Sequence, residues 1–84
     1  MPDAVYLTQV STAMQAAVRE AQGLVDDGEV GMPLAAAVRH ARDLHDILAG
    51  ELAAQAPAFA DHSAGVLAAM DERLRTLERY LAAH

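Results

Sequence analysis

The chain reads as an all-α protein, an antiparallel up-down-up bundle of three long helices that dimerisation could complete. Three observations predict it. Apolar residues recur at helical spacing over three stretches, about residues 4–27, 33–55 and 57–83. Only two short Gly/Pro breaks separate those stretches, at Gly28 to Pro33 and at Pro57. No stretch alternates polar with apolar as a half-buried strand would. Short connections between long helices force neighbours to run antiparallel, and the whole length, 84 residues, reads as a single domain.

The first helix places Tyr6, Val10, Met14, Ala17, Ala21 and Leu24 on one face, with Leu7, Val18 and Val25 beside them. Asp3 can cap its first turn. Gly28, which tolerates a left-handed backbone, should end it near Asp27. The second helix should open at Pro33, where a missing N–H costs nothing, and gathers Leu34, Val38, Ala41, Leu44, Leu48 and Leu52 on its stripe. The third lines up Phe59, Val66, Leu67, Met70, Leu74, Leu77 and Leu81. Its start has two candidates: Pro57 as an opening residue, or Asp61 as an N-cap. Leu48, Leu52, Met70, Leu74 and Leu77 lie centrally on stripes that must face one another, and so should fix the core.

Size and composition narrow the functional classes. A domain this short buries only about 60 to 65% of the surface its unfolded chain exposes, so an isolated monomer is marginal. Twenty alanines favour helix but contribute little buried area each. Both facts favour a supplementary interface. The formal charge is −6, from 12 acids against six arginines with no lysine, which argues against nucleic acid as a partner. The absence of cysteine removes disulfides and thiolate metal sites. Neither a membrane-length apolar run nor the basic start of a secretory signal is visible, so a soluble cytoplasmic protein is expected, although leaderless export leaves no mark in a sequence.

Four features could carry chemistry. His45 falls among Leu34, Leu48 and Leu52 on the apolar face of the second helix, where a buried imidazole needs a partner for its N–H and could contact a ligand. His40 and Asp43, three apart, could offer two ligands to a metal ion, with His62 or Asp61 as additions from the third helix. Arg39 and His45 form an Arg-x5-His string on a helix, which resembles the loose Arg-x(4 to 6)-His signature of HEPN-type ribonucleases, all-helical proteins that pair two such motifs across a dimer. That resemblance covers seven residues and implies Arg39 as a phosphate-stabilising group and His45 as acid or base. The acidic turn Asp26-Asp27-Gly28-Glu29 lacks the alternating oxygen ligands of an EF-hand.

The outer faces offer the remaining signal. The polar face of the first helix is mostly uncharged, with Thr8, Thr12, Gln15 and Gln22 among its residues. Such a face is cheaper to desolvate than a charged one. On the second helix Ile47 lies opposite the core with Ala36 and Ala54, a second apolar strip. The third helix pairs Asp71 with Arg75 and Arg75 with Glu78, as a solvent face does. No motif calls for a cofactor or resident metal. These features predict a non-enzymatic protein-association module, a homodimer or a small adaptor or chaperone for a helical partner, with Thr8, Thr12, Gln15, Gln22, Ala36, Ile47 and Ala54 at the interface. The alternative is a small-ligand or metal-responsive sensor, or an enzyme, using His45 with His40; the HEPN-like ribonuclease belongs to this class.

Overall fold

The computed structural model describes the chain from residue 4 to residue 84 except residue 56, and the side chains of residues 5–54 and 64–84. Three helices make up the molecule: α1 (Ala4–Asp26), α2 (Met32–Gln55) and α3 (Pro57–Ala83). Among the described residues there is no strand. The capping role expected of Asp3 and the side chains of Phe59, Asp61 and His62 lie outside the described residues.

The helix ends follow from backbone hydrogen bonding. At the C-terminus of α1, Gly28 adopts φ 83°, Gly28 N–H donates to Val25 C=O at 2.9 Å and Glu29 N–H to Leu24 C=O at 2.9 Å. That pair of bonds is a Schellman motif, which satisfies carbonyls that the helix itself leaves unpaired. α2 opens one residue earlier than the proline suggests, at Met32, with Ala35 N–H donating to Gly31 C=O at 3.1 Å. Pro33 is therefore second in the helix, still within the first turn, where N–H groups have no intrahelical acceptor. α3 opens at Pro57 and not at Asp61.

The rod measures 43 × 18 × 15 Å, so it is little longer than its longest helix, which spans about 40 Å at 1.5 Å per residue. Its core forms two clusters. One joins Ala17, Val18 and Ala21 of α1 to Leu34, Val38 and Ala41 of α2 and Leu74 and Leu77 of α3. The other joins Leu7, Val10 and Met14 to Leu48 and Leu52. The start of α1 thus packs on the end of α2, and the antiparallel arrangement is as the short connections require. Alanine at positions 17, 21 and 41 lets the backbones approach. Leu48, Leu52, Leu74 and Leu77 are all buried, while Met70 is partly exposed and touches both clusters.

α2 is the central helix: α1 packs most extensively against α2, α3 packs next most against α2, and α1 and α3 meet least. That asymmetry corrects two expectations. Tyr6 and Val66, assigned by periodicity to core stripes, are each 40% exposed. Both lie toward the edge of their stripe, about 50 to 70° from its centre at 100° per residue.

Candidate functional site

The seam between α2 and α3 holds the densest polar chemistry. Arg42 emerges from α2 beside the core position Ala41 and reaches two carboxylates one heptad apart on α3. Its Nη2 and Nε donate to Glu78 Oε1 at 2.8 Å and Oε2 at 3.1 Å, and its Nη1 donates to Asp71 Oδ1 at 2.7 Å. The side chain is 22% exposed, so the charges are only partly screened. Hydrogen bonding to Glu78 is the largest influence on Arg42 and holds its guanidinium still further above its ordinary range; burial opposes this, and the Asp71 contact adds to it. The same guanidinium lowers the Asp71 carboxyl below its usual value, with help from the charge of Arg75, whose Nε lies 2.9 Å from Asp71 Oδ2.

Periodicity does not single out Arg42, because at one helical step from Ala41 it sits on neither the stripe nor the outer face. The carboxylates it uses were visible, but with another partner expected. Glu78 pairs with Arg42 across the seam rather than with Arg75 along its own helix. Asp71 keeps its expected i,i+4 pair with Arg75 and gains Arg42 as well.

His45 lies one turn along α2 from Arg42, with 13% of its side chain exposed. Each ring nitrogen has an oxygen acceptor within reach, Nε2 the Leu67 carbonyl of α3 at 3.2 Å and Nδ1 the Asp46 Oδ1 at 3.1 Å, and a neutral ring donates its single N–H to one of them at a time. The imidazole is a tether between α2 and α3. A substrate or metal ion would have to displace one of these partners. His40 is exposed on another side of α2, about 140° round the helix from His45 at 100° per residue, and the two rings are not brought together. Arg39 likewise points to solvent, about 120° from His45. Asp43 shares the exposed side with His40. Among the described residues no three His, Asp or Glu side chains converge as a metal ion would require.

The residues assigned to an interface are distributed over two surfaces. Thr8, Thr12, Gln22, Ala36 and Ala54 are exposed, and Gln15 is half-buried. Gln15 Nε2 donates to Ser11 Oγ at 3.2 Å, and Gln22 Nε2 to Asp26 Oδ1 at 3.0 Å. Gln22 also lines a shallow open groove of about 320 Å³ between α1 and α3, together with Ala69, Glu72, Arg73 and Thr76. The uncharged flank of α1 therefore borders the loosest helix pair. Ile47 is 45% exposed on the outer side of α2, in line with Ala36 and Ala54. Among the described residues no helix is long and apolar enough to cross a membrane. No family model, curated protein or solved structure matches this chain.

Proposed function

We propose that the chain is a non-enzymatic association module, which uses an outer helical face to bind protein, either a second copy of itself or a helical partner that it serves as a small adaptor or chaperone. One observation carries the reading: Ile47 stands 45% exposed near the middle of the central helix, on a strip with Ala36 and Ala54 that neither α1 nor α3 covers. One exposed apolar side chain is ordinary on a protein surface. A strip at helical spacing, on the helix that is already the most fully packed, has the geometry of a helix–helix contact. Covering an isoleucine side chain is worth about 1.5 to 3 kcal/mol when burial is complete, a useful supplement for a core this small.

The polar chemistry within the chain supports the same reading. Arg42, Asp71 and Glu78 satisfy one another, and the His45 ring lies within hydrogen-bond distance of Asp46 and the Leu67 carbonyl. These groups hold α2 against α3 and so present the outer face of α2 on a rigid support. The test is the mass of the purified chain in solution, alone and with cell extract. Ile47→Glu should abolish or sharply weaken association, because a carboxylate in the contact must be desolvated. Gln15→Arg tests the α1 flank in the same way, and Arg79→Gln, on the outer face of α3, should change nothing. A chain that stays monomeric, binds no protein and is indifferent to both substitutions would defeat the reading.

A further inference from the structure

We infer that the outer face of α2 is the contact between two copies of this chain, paired antiparallel about a two-fold axis that passes the Ala41–Arg42 peptide. The inference rests on the association reading and names its partner. Ala36, His40, Asp43, Ile47 and Gly50 recur at alternating steps of four and three, the seam spacing of a coiled coil, and all five are exposed. The opposite stripe of α2 fills both core clusters, and Arg42 and His45 reach sideways to α3. The seam therefore points away from both neighbours, and a second helix can approach it unobstructed.

The face is complementary to itself in one register. Laying a second α2 antiparallel with its Asp43 opposite His40 automatically sets its His40 opposite Asp43, because a two-fold contact repeats every pairing in reverse. The same register puts Ile47 of each copy over the small Ala36 of the other. Arg39 and Asp46 flank the seam on one side, and antiparallel helices bring such flanking positions together, so Arg39 of each copy meets Asp46 of the other. Large meets small and cation meets anion, each time twice.

Among the described residues of one chain Arg39 and Asp43 are unused, and Asp46 meets only the His45 ring. Arg39 and Asp43 are four apart on α2, yet among the described residues neither has an ion-pair partner. Competing arrangements fail on charge. Sliding the second helix by a heptad sets Asp43 against Ile47 with no cation beside it, and a parallel pairing sets Asp43 beside Asp43, so both desolvate an unpaired carboxylate. The complement of this face is the face itself.

Sedimentation and light scattering of the full chain at micromolar to high-micromolar concentration should show a dimer. Arg39→Asp should raise the dimer Kd about tenfold or more, since it creates two like-charge contacts, and Arg39→Asp combined with Asp46→Arg should restore it. Helicity and thermal melts confirm that the variants stay folded. The chain has no cysteine, so register can be read directly: Ala36→Cys with Ile47→Cys should form a covalent dimer on oxidation, and Ala36→Cys with Ala54→Cys should not. A monomer at high micromolar concentration, a dimer indifferent to Arg39→Asp, a double variant without rescue, or crosslinking only through positions 36 and 54 would each overturn the inference. A monomeric chain that loses a heterologous partner on Ile47→Glu defeats the second copy and leaves the association reading standing. One that loses nothing defeats both.

Discussion

At the scale of single residues, Arg42 has the largest consequence. It reaches two carboxylates of α3, and three charge-assisted hydrogen bonds at 2.7 to 3.1 Å place it where exposure no longer fully screens the interaction. Replacing Arg42 by Met keeps most of its volume and removes its charge, which leaves Asp71 and Glu78 without their shared cation. The expected cost is about 1 to 2 kcal/mol in denaturant unfolding. The pH dependence follows from Asp71. Its carboxyl is held below the usual carboxylate range, chiefly by the hydrogen bond from Arg42. The folded state therefore favours the ionised form. The stability this contributes is complete above the unfolded value and is lost as pH falls through the lower folded value. Acid unfolding of the native chain should show this loss at the acid end, and Arg42→Met should flatten it; identical acid profiles would show that the clasp contributes nothing.

At the scale of the helices, the glycines separate two uses of one residue type. Gly28 holds φ 83°, a conformation that costs an L-residue with a Cβ about 1 to 2 kcal/mol, and it terminates α1 through the Schellman bonds. Gly28→Ala should lower stability accordingly. Gly23 and Gly65 sit inside α1 and α3, and a Cβ at either would meet nothing within 4 Å. With neither strain nor clash, Gly23→Ala and Gly65→Ala should each stabilise the fold by about 0.5 to 1 kcal/mol through backbone entropy and helix propensity. Thermal melts of the three variants check both signs at once. Gly28 was legible in the sequence as a helix end because two aspartates and a second glycine surround it. The start of α3 was legible only as a choice between Pro57 and Asp61.

At the scale of the whole molecule, stability is concentrated in few side chains. Leu74 is fully buried in one cluster and Leu48 is 3% exposed in the other. Either leucine truncated to alanine should cost about 2 to 5 kcal/mol, most of what a domain of this size possesses. A cooperative melt at unchanged temperature in either variant would show that the two clusters are not the core. The two losses should be nearly additive if the clusters behave independently, and less so if Met70 and Leu44, which touch both, couple them.

The sequence by itself determined the helices, their order, their antiparallel course and most of the core, because periodicity, caps and breakers act within a few residues of where they stand. Leu34, Leu48, Leu52, Leu74 and Leu77 are buried for reasons visible within each helix alone. Ile47 was likewise legible as an outward residue, since the face opposite a stripe is defined by the same stripe. Only the tertiary structure decided that Glu78 pairs with Arg42 and not with Arg75, that His45 sits between Asp46 and the Leu67 carbonyl, and that Tyr6 and Val66 reach the surface. Each of these depends on the rotation and closeness of one helix against another. Arg42 and Glu78 are 36 residues apart in the chain, and the packing of α2 on α3 that joins them is a property of neither helix alone.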